Sequence, residues 1–544
     1  MLKNIQNLLT ILREEKYYID CIIILIAMLT SLMDLTAIVI LGNFLSILTV
    51  GKSINFLNNI YTENYLFLAL VFFMATLLRF YLNYLVIWFG QISEGKLSTK
   101  LLESALQSDL DYFEKGSSSD LKREVLSEVQ QISIYIINPI LRIVQAIPTL
   151  LVTLAGFILL TGFNSVLYIL ILLVICFFLF LIIRKPYARL GLIRFQTNEV
   201  RFKYLEAAFS NIRLIKILSL RDKFIKRYSL NYKKYGKVQS LSQIISQLPK
   251  FVLEILFISI CAIILSTNFI DLSFQEKFPI IVAGAYKLVP IFSLVVQNIS
   301  RLIYGRKPLE EIIDRYSTLT KSKKFKIINK INNSKSKLLT NFSTLPTHSI
   351  KLNGKRVAEI HLEAFKVTVI TGASGVGKTT LIDQLTSLKT EGIVTINENY
   401  LNYKKLFYVP QNPFLIEGTL LENLDFLNIE VDLKNLKNLL NKFSIGHLVE
   451  RLLIDQVKLG NMQELSGISG GELKRLFLLF AYLSGKKIIF LDEPFSGLDN
   501  SNKFKMVKII NKYFKNVSLF IVTHEMVDLI RHDYLLEMKK NDNT

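Results

Sequence analysis

Cysteine is scarce in this sequence, and the few that occur exclude two kinds of chemistry. The 544 residues include three cysteines, Cys21, Cys176 and Cys261, and each lies inside an apolar run. They have neither the spacing of metal ligands nor that of a disulfide framework. We therefore expect small buried hydrophobic side chains at these positions.

Acidic residues are also fewer than basic residues, and this imbalance limits the kinds of partner that we expect the protein to bind. The 44 aspartates and glutamates stand against 65 lysines and arginines, and the net charge is +21. Such a charge attracts either nucleic acid or a membrane surface. Because the basic residues lie between apolar runs, and 51% of the chain is hydrophobic, we expect membrane lipids as partners and no nucleic acid.

Six stretches before about residue 305 have the roughly 20 apolar residues that a helix needs to cross a bilayer. They cover about residues 19–50, 65–89, 134–162, 166–183, 251–270 and 278–303. The first is too long and too interrupted for a cleaved signal, so we expect a retained span. We predict a transmembrane domain over residues 1–316, a polar linker over 317–337 and a second domain over 338–544.

The positive charges predict the orientation of these spans. Lysine and arginine are concentrated before the first span, between the second and third, and between the fourth and fifth. Because such residues stay on the cytoplasmic side, both termini and the second domain are expected in the cytoplasm of a multi-pass protein. The two basic loops are long and have the apolar spacing of helices. Richness in lysine, isoleucine and asparagine suggests an AT-rich bacterial genome, and hence a bacterial inner membrane.

Residues 372–379 have the pattern G-x-x-x-x-G-K-T directly after a β-branched run. A strand that runs into such a loop lets backbone N–H groups surround a phosphate, and the next helix adds its positive end. Lys378 would reach the β- and γ-phosphates, and the Thr379 hydroxyl would ligate Mg²⁺. The residues expected to bind the nucleotide here are Gly372, Ser374, Gly375, Gly377, Lys378, Thr379 and Thr380.

A second apolar run, residues 487–491, predicts a buried strand with Asp492 at its carboxyl end. A carboxylate there can hold Mg²⁺ through water, and the adjacent Glu493 can polarise the attacking water. The alternative is a surface pair that forms salt bridges, which the four apolar residues before Asp492 disfavour.

Between these motifs lies Ile468-Ser469-Gly470-Gly471-Glu472. With six apolar stretches in front, the chain resembles ATP-binding cassette (ABC) exporters of the six-span half-transporter kind. The resemblance implies an α-helical transmembrane domain of six long helices, of the domain-swapped exporter type, joined to an α/β P-loop NTPase domain. It also implies ATP and Mg²⁺ as cofactors, and ATP hydrolysis coupled to transport. In the long inner loops it implies short transverse helices that rest on the ATPase domain.

The same resemblance assigns roles to other residues. Glu493 corresponds to the catalytic glutamate, and His524 to the histidine that contacts the γ-phosphate. Gln411, in Tyr408-Val409-Pro410-Gln411, is similar to the glutamine that senses Mg²⁺ and the attacking water. Asp499 belongs to a loop that joins the two sites of a dimer.

The signature segment, residues 468–472, works on the opposite subunit in this family. Ser469, Gly470 and Gly471 would offer a hydroxyl, backbone N–H groups and a helix N-terminus to the partner's γ-phosphate. One chain has one such cassette, so the resemblance implies a homodimer with two equivalent sites. Ile468 and Glu472 replace the family's leucine and glutamine.

Three features depart from the family. No clear aromatic residue precedes the phosphate loop to stack on adenine, where Phe342 and His348 are the ring candidates. Residues 459–463 lack the acidic-glycine pattern of exporters. The domain also ends soon after His524.

The substrate remains open between several classes. Residues around Arg301, Tyr304 and 307–311 resemble those of exporters that flip polyprenyl-diphosphate-linked oligosaccharides, and we favour such an amphipathic lipid. Peptide exporters of the bacteriocin or microcin type and multidrug exporters share the architecture. No cysteine-protease domain precedes the first span, so we expect no leader-cleaving peptide exporter. Asp34 and Arg79, inside predicted spans, either line the path or pair with each other.

One further class of protein is less favoured. A membrane-bound ATPase that senses or gates would be indicated by a lost Glu493 or a decayed signature, and the sequence has both in place.

Overall fold

A computed structural model describes the following parts of the chain: residues 1–12, 22–33, 36, 65–108, 118–161, 165–266, 272–321, 348–352, 355–360, 365–373, 375–385, 394–395, 406–416, 419–448 and 468–538. The chain divides into two compact units, the first ending at Lys323 and the second beginning at Lys324.

The first unit is helical throughout its described part. Its helices are α1 (Leu2–Leu12), α2 (Ile22–Met33), α3 (Tyr65–Leu106), α4 (Ser118–Arg123), α5 (Val129–Ile132), α6 (Asn138–Thr161), α7 (Ser165–Ser210), α8 (Ile212–Ile217), α9 (Arg221–Ser266), α10 (Leu272–Tyr304) and α11 (Arg306–Lys321). Two π-helical turns, Glu124–Glu128 and Ser133–Ile137, join α4 to α5 and α5 to α6.

Several of these helices are long and apolar enough to cross a membrane. In the described residues, the segments Phe73–Leu106, Asp120–Gly156 and Arg221–Ser259 satisfy length and composition, and a fourth does if Leu288–Tyr304 and Arg306–Thr320, bent by 48°, form one span. The described residues of five of the six predicted stretches are helical, and residues 162 and 267–270 lie outside the described part. Of the first stretch, the structure describes residues 22–33 and 36.

In their described residues the basic inner loops are largely helical, as their apolar spacing predicted; residues 109–117 of the first loop lie outside the described part. Helix α7 continues to Ser210 and α9 begins at Arg221, so little of the loop between the fourth and fifth stretches is irregular. Helix α11 extends to Lys321, so the first residues of the predicted linker, 317–321, are helical. The remaining residues of that linker lie outside the described part.

Buried ion pairs hold the inner ends of these helices together. Arg194 of α7 donates a hydrogen bond to Glu128 at 3.0 Å, and Asn198 donates to the same carboxylate at 2.9 Å. Arg315 of α11 contacts Glu124 at 2.8 Å. Because both glutamates are fully buried, these pairs fix the π-helical turn Glu124–Glu128 against α7 and α11.

The second unit contains two sheets. Its strands are β1 (His348–Leu352), β2 (Lys355–Ile360), β3 (Val367–Gly372), β4 (Val394–Thr395), β5 (Leu406–Val409), β6 (Ile488–Asp492), β7 (Ser518–Val522) and β8 (Tyr534–Met538). Strands β2, β1 and β4 form an antiparallel sheet in that order. Strands β5, β6, β7, β3 and β8 form a parallel sheet in that order.

The parallel sheet forms the core of this unit. Every residue of β6 and β7 is buried, as expected for strands covered on both faces. The described helices of the unit are α12 (Lys378–Leu385), α13 (Leu420–Phe426), α14 (Leu433–Lys442), α15 (Gly470–Leu483) and α16 (Asn500–Tyr513). Phe490 and Phe520 stack with their ring centroids 4.8 Å apart.

Candidate nucleotide-binding site

The parallel strands bring the predicted motifs to one edge of the sheet. Strand β3 ends at Gly372, β6 at Asp492 and β7 at Val522. The carboxyl ends of parallel strands meet at the same edge, where ligands of α/β sheets bind. The glycine loop (residues 372–379), Glu493 and His524 therefore follow three adjacent strands.

The glycine loop has a backbone that few other residues could adopt. Gly372, Gly375 and Gly377 have φ angles of +147°, +79° and +98°, which glycine reaches without the Cβ penalty of other residues. A Cβ atom on Gly372 would lie 2.5 Å from the carbonyl oxygen of Met538. The loop then enters α12 at Lys378, so its geometry fits the phosphate role. Ser374 and the side chain of Thr380 lie outside the described residues.

The Lys378 ammonium lies at the centre of the site. It donates a 2.7 Å hydrogen bond to the carbonyl of Gly372 and is 3.6 Å from the Glu493 carboxylate. Lys378 therefore joins the loop to the end of β6, although the two motifs are far apart in sequence.

Asp492 accepts a hydrogen bond from a residue that was not among the predicted site residues. Its side chain is 5% exposed, and the Tyr408 hydroxyl donates a 3.0 Å hydrogen bond to it. Burial and the neighbouring Glu493 raise the pKa of Asp492, whereas Tyr408 and Lys378 oppose that rise. Burial, together with Asp492, in turn raises the pKa of Tyr408. Tyr408 therefore stays a neutral donor.

The oxygen atoms available suit a shared metal site rather than a protein-only cage. In the described part of the chain, no three His, Cys, Asp or Glu residues form a cluster able to hold a metal. Mg²⁺ is commonly held by one or two protein ligands together with substrate phosphates and water. Asp492, the exposed Thr379 and the exposed Gln411, which follows β5, are the predicted ligands.

Glu493 has a strained backbone, and its side chain contacts other residues of the site. Its φ angle is +47°, a conformation that costs a non-glycine residue on the order of 1–3 kcal/mol. Its amide donates to the carbonyl of Val522 at 2.8 Å. Its carboxylate lies 3.3 Å from Nδ1 of His524. Glu493, the predicted base, thus contacts both Lys378 and His524.

The signature segment begins a helix through a capping box. Ser469 is the N-cap of α15 and accepts a hydrogen bond from the amide of Glu472, whose carboxylate accepts from the amide of Ser469. The glutamate that replaces the family's glutamine thus satisfies an N-terminal donor. His447, which the sequence did not single out, lies 2.5 Å from the Glu472 carboxylate. Burial alone would raise the pKa of Glu472, but hydrogen bonds from Ser469 and His447 keep it below its usual value.

The signature segment contacts the Asp499 loop in the same chain. A Cβ atom on Gly471 would lie 3.3 Å from Asn502, and Asn502 donates to Asp499. Hydrogen bonds from Ser501 and Asn502 lower the pKa of Asp499. Within the described residues, the polar contacts of Ser469 do not include the glycine loop.

Three further sequence-based candidates have no described side chain. Asp34, Phe342 and the His348 side chain lie outside the described residues, as does the segment 459–463. Arg79 lies on α3 and is half-buried. Which residue stacks on adenine stays a prediction.

Family models match both units. The model of the ABC transporter transmembrane region matches residues 21–283, and the ABC transporter model matches residues 356–496. The second match includes the glycine loop, the signature segment and Glu493.

Curated relatives match part of the chain. It is 27% identical over 197 residues to the glutathione/L-cysteine transport system ATP-binding/permease protein CydC of Bacillus subtilis, covering 34% of each protein. It is 32% identical over 172 residues to a lacticin-481/lactococcin-DR transport/processing ATP-binding protein of Lactococcus lactis, covering 30% of this chain and 24% of the relative. The chain thus spans about a third of the length of the Bacillus subtilis relative and about a quarter of the length of the Lactococcus lactis relative.

One solved structure resembles nearly the whole chain. It is described as a bacterial Atm1-family ABC exporter with ATP bound. The TM-score is 0.71 at 14% identity, over 95% of this chain and 92% of that one. The likeness establishes an exporter fold: a helical transmembrane domain followed by an ABC ATPase domain.

Proposed function

Since this chain belongs to the ABC transporters, we propose that it uses ATP hydrolysis to export or flip an amphipathic substrate across the bacterial inner membrane. The transport proceeds by alternating access in a homodimer. The observation that supports this most is the meeting of Lys378, Glu493 and His524 at one edge of the sheet, where Glu493 lies 3.6 Å from one cation and 3.3 Å from the imidazole.

Each residue at this edge of the sheet has its own role in ATP hydrolysis. Lys378 and the loop amides bind the β- and γ-phosphates. Asp492, Thr379 and Gln411 would hold Mg²⁺, which would supply positive charge against the phosphates. Glu493 accepts the proton of the attacking water. His524 fixes the Glu493 carboxylate and faces the γ-phosphate.

A second copy of the chain completes the site. Ser469 caps α15, and Gly470 and Gly471 form its first turn, so that this helix N-terminus would face a phosphate held by the partner. Closure of two chains around ATP would draw the cassettes together, and hydrolysis would release them. Two differently tagged copies should co-purify from one membrane if the homodimer exists.

For the substrate we propose a lipid-linked oligosaccharide or a similar lipid with an anionic head group. Arg142 of α6 and Arg301 of α10 lie on helices that pack together, and both residues are half-buried. Two neighbouring cations near the inner end of a membrane domain suit a diphosphate. The lacticin relative supports a peptide as the second candidate, and multidrug export is a third.

The test is transport by the full-length protein in proteoliposomes. We expect ATP to move a fluorescent polyprenyl-diphosphate glycan between leaflets, and Arg142→Gln and Arg301→Gln to slow this movement with ATPase intact. The exposed Arg306→Gln is the matched control. Movement of a peptide instead would assign the second candidate. ATP hydrolysis that never moves any solute would favour a membrane-bound sensor over a transporter.

A further inference from the structure

Lys474 is a buried cation on the helix that the signature segment begins. It lies in the second turn of α15, and its side chain is 7% exposed. Lysine is almost never this buried without partners for its ammonium group. The partners therefore indicate what Lys474 does.

All three hydrogen-bond partners of Lys474 lie in the turn after β6. Its Nζ atom donates to the carbonyl of Ser496 at 2.8 Å, to the Ser496 hydroxyl at 3.1 Å and to the carbonyl of Glu493 at 3.2 Å. A lysine ammonium has three donors, and here one turn accepts from all of them. The ammonium thus holds this turn together and against α15.

The turn needs such support because Glu493 is strained. With φ at +47°, Glu493 occupies the left-handed region that non-glycine residues avoid. Its amide is held by Val522, and its carbonyl accepts from Lys474 and from both the amide and the hydroxyl of Ser496. The backbone of Glu493 is therefore fixed on both sides.

We propose that Lys474 is a positioning residue for hydrolysis, which holds Glu493 in the left-handed conformation that aims its carboxylate at Lys378 and His524. The proposal rests on the proposed ATPase function. Lys474 itself contacts neither nucleotide nor water in this role. Without its ammonium, φ of Glu493 relaxes toward negative values, and the carboxylate leaves the place where it can accept a proton.

A purely structural role for Lys474 makes a different prediction. A buried lysine that only fills space and satisfies carbonyl groups would, when replaced, lower stability and nucleotide binding together. A positioning residue lowers kcat while the affinity for ATP stays, because a small displacement of a catalytic group costs up to about 10²-fold in rate. Its effect also disappears once the group it positions has been removed.

The experiment compares Lys474→Met with Lys474→Gln in the full-length protein in nanodiscs. Methionine keeps the length without a donor, whereas glutamine keeps two N–H donors. Steady-state ATPase gives kcat and KM, and equilibrium binding of a slowly hydrolysed ATP analogue gives Kd. We expect Lys474→Met to lower kcat at least tenfold with Kd within about twofold, and Lys474→Gln to restore part of the rate.

Two further comparisons distinguish a positioning role of Lys474 from a purely structural one. Lys366→Met removes the 3.2 Å ion pair with Asp533 at the opposite edge of the sheet and should leave kcat unchanged. In a Glu493→Gln background, Lys474→Met should cause no further loss of rate. Equal losses in both backgrounds, or an unchanged kcat in Lys474→Met, would overturn the positioning role. A wild-type protein that hydrolyses no ATP would instead refute the proposed function and, with it, this inference.

Discussion

The Tyr408 hydroxyl donates a hydrogen bond to the Asp492 carboxylate at 3.0 Å across two neighbouring strands. Strand β5 pairs with β6 in parallel, and Tyr408 lies beside Phe490, so the phenol reaches the residue at the end of β6. Asp492 is buried, and its pKa is raised by that burial. Tyr408 therefore helps to keep a predicted Mg²⁺ ligand ionised.

Replacing Tyr408 with phenylalanine should weaken the use of Mg²⁺. Without the hydrogen bond, the pKa of Asp492 rises further, and a larger fraction is protonated as pH falls. The Mg²⁺ concentration for half-maximal ATPase should increase in Tyr408→Phe, more at pH 6 than at pH 8. Tyr513→Phe, in a stack with Phe443, controls for the loss of a hydroxyl. An equal Mg²⁺ requirement at both pH values in variant and wild type would contradict the assignment.

Removing the charge of Glu493 should separate binding from hydrolysis. Glu493→Gln keeps the shape of the side chain but cannot accept a proton from water. We expect ATP binding to persist and ATPase to fall about 10²-fold or more, the range of lost general-base catalysis. The variant should also trap the closed dimer, which crosslinking with ATP would reveal. Glu430→Gln, on an exposed position, is the control, and near-normal turnover in Glu493→Gln would remove the assigned base.

The strands that position this site could be predicted from sequence with little error. The strands expected directly before residue 372 and at 487–491 correspond to β3 and β6. Continuous β-branched and apolar runs are typical of strands buried on both faces. The same reasoning placed Asp492 at the end of a strand, where the structure has it.

Partners from other elements could not be predicted in this way. Tyr408 meets Asp492 only because β5 lies next to β6, and sequence does not give strand order. Lys474 is buried because α15 is covered on nearly all sides, whereas a lysine within a helix normally indicates an exposed face. His447 reaches Glu472 from a separate 3₁₀ turn, Gly446–Leu448. These contacts depend on tertiary packing alone.

Two glycines of the glycine loop allow the cost of a positive φ angle to be compared with the cost of a steric clash. Gly372 and Gly375 both have positive φ angles, but only Gly372 lacks room for a Cβ atom, which would lie 2.5 Å from the Met538 carbonyl. Gly375 has nothing within 4 Å of that position. Gly375→Ala should therefore cost about 1–2 kcal/mol from the φ angle, and Gly372→Ala should cost more. Thermal unfolding of the full-length protein would compare them, and equal Tm values would refute the steric argument.

The Arg194–Glu128 pair predicts how the helical unit responds to the loss of one charge. Both side chains are almost fully buried, with 3.0 Å between Nη2 and the carboxylate. Removing one partner of such a pair leaves the other charged and buried, which costs about 3–5 kcal/mol, whereas replacing both with apolar residues is often neutral. Arg194→Met should thus lower Tm strongly, and the double variant Arg194→Met/Glu128→Leu should recover much of the loss.

A matched control comes from the same unit. Arg306 pairs with Glu310 at 2.7 Å, but its side chain is 61% exposed, and an exposed pair contributes about 0–1 kcal/mol. Arg306→Met should therefore change Tm little. If the double variant at Arg194 and Glu128 were less stable than Arg194→Met alone, the pair would contribute net stability. The fixed arrangement of α7 against the π-helical turn would then depend on the charges rather than on the packing around them.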